Sequence, residues 1–143
     1  MTASSNVSVS DIYPCLSYRD PHAALDWLAR AFGFTRRLVV DGPEGTVVHA
    51  EMSLGSSVVM LGSPKPEKGW VSPLDLPAVN QTVCLYVADP DAHYARATAA
   101  GARIVFPLED TSYGTRGYTA RDPEGHVWTF GTYRPGAEWQ ADE

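Results

Sequence analysis

The sequence is short of basic charge, short of cysteine and without a long apolar run, and each shortage removes a class of function. Eleven Lys+Arg stand against 17 Asp+Glu, a formal net charge of −6 at pH 7, and no basic run occurs. Without a Lys/Arg stripe a protein cannot release counterions from a phosphate backbone, so nucleic acid is not an expected partner. Neutral or cationic small molecules suit the acidic balance. The two cysteines, Cys15 and Cys84, lie far apart with no CxxC, which excludes a zinc knuckle or a disulfide framework and leaves two free thiols. No stretch approaches the roughly 18 apolar residues of a membrane span. The first ten residues carry no Lys, no Arg and no apolar core, so neither a secretory signal nor a transit peptide is read there, and a cytoplasmic location is expected.

What is present argues for one soluble domain. At 143 residues, 44% hydrophobic and 20% charged, with 12 Gly and 11 Pro, the chain is too apolar for disorder and too interrupted for a coiled coil. It also repeats itself. Cys15-Leu16-Ser17-Tyr18-Arg19-Asp20-Pro21 recurs as Cys84-Leu85-Tyr86-Val87-Ala88-Asp89-Pro90, with four of seven positions identical. The spacing holds to within a residue for Ala31-Phe32-Gly33 against Ala99-Ala100-Gly101, and for Ala50 and Gly55 against Ala120 and Gly125.

Each copy opens with an alternating strand and then Asp-Pro, a helix N-cap followed by the residue best suited to the first helical position. In the first helix Leu25, Leu28, Ala29 and Phe32 share a face and Gly33 ends it; in the second Tyr94, Ala97 and Thr98 take that face and Gly101 ends it. Three strands follow each helix: Thr35 to Val40, Thr46 to Leu54 and Ser56 to Leu61, then Ala102 to Phe106, Gly117 to Arg121 and His126 to Thr132. The unit is βαβββ, used twice. The expected organisation is a loose N-terminus 1–10, one domain 11–133 (module 1, 11–62; linker 63–80; module 2, 81–133) and a tail 134–143. The linker carries four prolines, Lys65, Lys68 and Trp70, and reads as a segment that folds over something.

These motifs resemble the vicinal oxygen chelate superfamily, which includes glyoxalase I, bleomycin resistance proteins and extradiol dioxygenases. The resemblance runs from Asp11 to Tyr133 and rests on Tyr18-Arg19-Asp20-Pro21, on Val48-His49-Ala50-Glu51-Met52 leading to Val58-Val59-Met60-Leu61-Gly62, and on Tyr113-Gly114-Thr115-Arg116-Gly117-Tyr118 leading to Asp122-Pro123-Glu124-Gly125-His126-Val127-Trp128. It implies an α+β fold of two tandem βαβββ modules forming a curved mixed sheet around a cleft, helices on the convex side, and a homodimer. It also implies a divalent metal held from four positions, which here are Tyr13, Val59, Thr82 and Thr129. None is a normal ligand for zinc, iron or nickel, so no metal cofactor is expected.

Strand alternation sorts the remaining side chains. Val48, Ala50 and Met52 are assigned to the helix side, as are Leu16, Tyr18, Val83, Leu85, Val87, Tyr118 and Ala120, together with Val58, Met60, Trp128 and Phe130. The cleft side then receives His49 and Glu51 from one strand and Thr119 and Arg121 from its counterpart. Tyr13, Cys15 and Ser17 join them from the first opening strand, Thr82, Cys84 and Tyr86 from the second, and Val59, Val127, Thr129 and Gly131 from the last strands. Tyr13, Tyr86, Tyr113, Trp70 and Phe106 form an aromatic lining suited to a flat ligand, with Trp70 on a closing linker; Phe106 reads equally as core. His49 and Glu51 are candidates for a catalytic base beside a carbonyl; the alternative is a structural ion pair of Glu51 with Arg121, His49 bonding to it. Cys15 and Cys84 read as small filler, His22 and His93 as solvated, and His126 as a strand-edge residue.

Three functions follow from these expectations. The first is a binding protein that sequesters a small organic or antibiotic-like ligand without a metal, as in the bleomycin resistance branch. The second is a glyoxalase-like lyase or isomerase using His49 or Glu51 as base. The third is a non-catalytic regulatory relative. No membrane partner is expected for any of them.

Overall fold

Asp20 and Asp89 do what Asp-Pro predicts. Each carboxylate caps its helix, accepting from Ala23 N at 3.1 Å and from Ala92 N at 3.0 Å. The computed structural model describes residues 7–136. The loose ends expected at 1–10 and 134–143 therefore lie, for residues 1–6 and 137–143, outside the described residues.

The element order is β1 (Cys15–Ser17), α1 (Pro21–Phe32), β2 (Thr35–Asp41), β3 (Val47–Leu54), β4 (Ser57–Gly62), β5 (Thr82–Tyr86), α2 (Pro90–Ala99), β6 (Arg103–Asp110), β7 (Arg116–Arg121) and β8 (Val127–Gly131). Two four-stranded sheets result, ordered β1-β4-β3-β2 and β5-β8-β7-β6. In each, the opening strand pairs parallel to the last strand of its module and the other pairings are antiparallel. This is the α+β fold of two βαβββ modules. Among the described residues no helix is long and apolar enough to cross a membrane.

One core serves both modules. Leu25, Leu28, Ala31 and Phe32 of α1 are fully buried beside Met52, Trp128 and Phe130, and Gly33 ends α1 in the left-handed region at φ 83°. The helices also satisfy each other's last carbonyls. Arg96 of α2 donates to Arg30 O and Ala29 O, His93 Nε2–H donates to Phe32 O at 2.8 Å, and Trp27 of α1 donates to Ala100 O. A cation at the C-terminus of α1 also suits its dipole.

Four sequence expectations are corrected here. Thr98 is exposed, and its hydroxyl turns back to the Tyr94 and Ala95 carbonyls. The buried face of α2 includes His93 instead, which is not solvated: its ring stacks on Phe32 and lies 4.1 Å from Phe130. Val48 is 52% exposed while Val47 is buried, because the β2–β3 ladder skips Val48 where Val40 pairs with His49 and Asp41 with Val47. On β4 the phase is reversed: Val59 and Leu61 are buried, and Val58 and Met60 lie on the other face. The pairs Met52–Val59 and Ala50–Leu61 place them opposite residues already committed to the core.

Candidate functional site

Alternation on the two opening strands builds the site. Leu16 and Leu85 point into the core, leaving Cys15, Ser17, Thr82, Cys84 and Tyr86 on the opposite face, with Tyr13 just ahead of β1. Three hollows follow these residues. The first, 520 Å³, is walled by both modules and lined by Tyr13, Val58, Thr82 and Cys84. The second, 750 Å³, runs between β1 and the linker, with Cys15, Ser17, Trp70, Val71, Leu76 and His126 in its lining. The third, 240 Å³, sits on module 2 and is lined by Cys84, Phe106, Tyr113, Thr119, Thr129 and Tyr133. Phe106 is 59% exposed, so it is lining and not core.

The linker is held in place by polar contacts that sequence reading missed. Ser72 is buried, and its hydroxyl donates to Glu124 at 2.5 Å. Glu124 also accepts the Arg19 and Asp20 amides at 2.6 and 2.8 Å, and Arg19 pairs with Asp75. Trp70 projects from a short hairpin closed by the Lys65–Trp70 bridge, half exposed, with both lysine ammonium groups 5.4 Å from its ring. His126 is more than an edge residue: its Nε2–H donates to Ser17 O at 2.9 Å, its ring lies 4.7 Å from Tyr18, and it lines the linker hollow. The only signal for these contacts was the acidic pair inside Asp122-Pro123-Glu124-Gly125.

The remaining candidates divide. Thr119 and Thr129 hydroxyls bond to each other at 2.7 Å across β7 and β8. Tyr86 lies under the Arg134 guanidinium at 3.6 Å. Arg121 lines a fourth hollow beside the linker. His49 and Glu51 do meet, Nε2 to Oε2 at 2.9 Å, but they line none of these four hollows. The Glu51–Arg121 ion pair does not form. Glu51 instead faces Arg37 of its own sheet at 3.8 Å, because the β2 irregularity sets Arg37 beside Leu38, the cross-strand partner of Glu51.

The donor set does not fit a divalent metal. Tyr13, Thr82 and Thr129 offer neutral hydroxyls; Val59, read as the fourth position, is instead buried in the core, and the residue that stands beside Cys15 as Thr129 stands beside Cys84 is Met60. Among the described residues no group of three or more His, Cys, Asp or Glu comes together in a metal-holding arrangement.

Comparison with known proteins agrees with the fold. The family profile of the glyoxalase/bleomycin resistance protein/dioxygenase superfamily matches residues 12–130. An uncharacterized protein of Mycobacterium bovis is 35% identical over 133 residues, covering 91% of this chain and 86% of that protein. The crystal structure of TioX from Micromonospora sp. ML1 is similar at 38% identity and a TM-score of 0.69, covering 87% of this chain and 97% of TioX. A glyoxalase/bleomycin resistance protein/dioxygenase family enzyme from Burkholderia phytofirmans PsJN shares the fold at 18% identity and a TM-score of 0.66, over 84% and 95% of the two chains. By the profile match over residues 12–130, the chain belongs to the glyoxalase/bleomycin resistance protein/dioxygenase superfamily.

Proposed function

We propose that this chain captures a small organic molecule in the hollows along β1 and β5, without a metal and as a homodimer. One observation carries the reading. The positions that would hold the superfamily's metal carry Tyr13, Thr82 and Thr129, and these residues line hollows whose walls mix apolar side chains, such as Val58, Val59, Phe106 and Tyr113, with polar ones, such as Ser57, Gln81 and Thr115. Such a lining offers a flat ligand aromatic and aliphatic contact together with hydroxyls to orient it, and supplies no set of metal donors. Trp70 and the pinned linker close one side. Exposed Leu38, Val40 and Val48 on the first sheet and Val105 and Phe106 on the second support a second copy as the partner.

The His49–Glu51 contact favours a second reading, a lyase or isomerase acting on a carbonyl compound with one of the pair as base. Native mass spectrometry of protein purified from its own host separates the two. Retained organic mass on a dimer, with no metal taken up on dialysis against nickel, zinc or manganese, is the expected result. A bound metal with turnover that is lost in His49→Ala would overturn capture in favour of chemistry.

A further inference from the structure

Arg103 and Arg121 are direct cross-strand partners on β6 and β7, so their side chains leave the same face of the sheet side by side. Like charges in that relation repel, and a sequence holding 17 acidic residues has ample means to neutralise them. Yet neither arginine pairs with a carboxylate among the described residues. Among the described residues, Arg121 makes one side-chain hydrogen bond, to the Gly125 carbonyl at 3.2 Å, and the Arg103 guanidinium makes none. Both line a hollow of 330 Å³ roofed by the linker at Pro73 and Leu76 to Val79. The single carboxylate in that lining, Glu124, already accepts from Ser72 and from the Arg19 and Asp20 amides.

We propose that Arg103 and Arg121 form an oxyanion site, taking the carboxylate or phosphoryl end of a small molecule between their guanidinium groups. Two planar forks converging on one hollow match the several lone pairs of such a group, and the bound anion converts a repulsive pair into an attractive triad. The linker residues Pro73, Leu76, Pro77, Ala78 and Val79 line both this hollow and the larger one beneath Trp70, so an anionic head here leaves room for an apolar body along the linker. The net negative charge does not oppose this, since the field that an anion meets in a cleft is set by the nearest charges. The site would stand equally in a capture protein or an enzyme.

Thermal midpoints of the full chain, titrated with inorganic phosphate and separately with benzoate against sodium chloride of equal ionic strength, test the proposal. A ligand that binds only the folded state raises the midpoint saturably. We expect saturation by phosphate or benzoate beyond the chloride effect, with half-saturation at least about tenfold higher in Arg103→Gln and Arg121→Gln. Whichever anion saturates first tells whether the natural ligand ends in a phosphoryl or a carboxylate group. Midpoints that follow ionic strength alone, or an unchanged half-saturation in Arg103→Gln, would overturn it. Arg103 is exposed, so its variant keeps the test valid if Arg121→Gln fails to fold.

Discussion

The Tyr18 hydroxyl donates to Asp122 at 2.6 Å and so ties the end of the first module's opening strand to the turn that starts the second module's last strand. Asp122 is 1% exposed and accepts five hydrogen bonds: from Tyr18 and Trp128 Nε1 on one oxygen, and from the amides of Glu124, Gly125 and His126 on the other. One buried carboxylate thus joins both modules and shapes the turn from which Glu124 anchors the linker. Burial and the neighbouring Asp122 raise the Tyr18 pKa well above its ordinary value, so the hydroxyl keeps its proton and remains the donor.

Asp122→Ala strips the partner from all five donors, several of them buried. It is expected to cost about 3 to 5 kcal/mol, and Tyr18→Phe about 1 to 3 kcal/mol, read from urea midpoints. A loss below about 1 kcal/mol in Asp122→Ala would mean that this carboxylate is not a main tie between the modules.

His93 gives the fold an acid-sensitive joint. Its Nε2–H donates to Phe32 O and its Nδ1 accepts from the Tyr118 hydroxyl at 2.5 Å, an arrangement that requires the neutral ring. Burial, with Arg96 adding to it, lowers the His93 pKa from its ordinary 6.5, against the opposing pull of the Phe32 carbonyl. The unfolded chain therefore takes up this proton more readily than the folded one. The contribution of His93 is complete above about pH 6.5 and is lost as pH falls below it. Urea midpoints from about pH 8 to pH 5 are expected to fall more steeply for wild type than for His93→Leu, in which nothing titrates at this position. Parallel slopes would count against it.

The reversed phase of β4 is open to direct measurement. Val59 is 2% exposed and Val58 is only half-buried. Val59→Ala is expected to cost about 2 kcal/mol, and Val58→Ala about 0.5 kcal/mol. The opposite order in chemical denaturation would restore the alternation read from sequence.

Helices and repeats were legible because their signals are local. Asp-Pro caps, the apolar spacing of α1 and Gly33 all act within one turn of chain, and Trp128 and Phe130 alternate cleanly with Val127 and Thr129. Val58-Val59-Met60-Leu61 is apolar at every position, so alternation has no phase there until Ala50 and Met52 supply one from the neighbouring strand. Val48 failed for a related reason: a skipped residue in the ladder turns the side chains on its two sides out of strict alternation.

The site residues divide along the same line. Tyr13, Cys15, Thr82 and Cys84 could be assigned to one face because β1 and β5 obey period two, and the structure puts all four in the linings of hollows. The Arg37 contact of Glu51 and the partners of His93 and Glu124 could not be read, since each is supplied by another element or loop far along the chain.

Composition and the doubled Asp-Pro module were fixed by the order of amino acids alone, because capping and periodicity need no distant neighbour. Which buried charge meets which donor, which face of an all-apolar strand turns inward, and where two arginines are left facing each other were decided only when the modules packed. Those outcomes depend on strand register and on one shared core, and both arise from contacts between residues far apart in the chain.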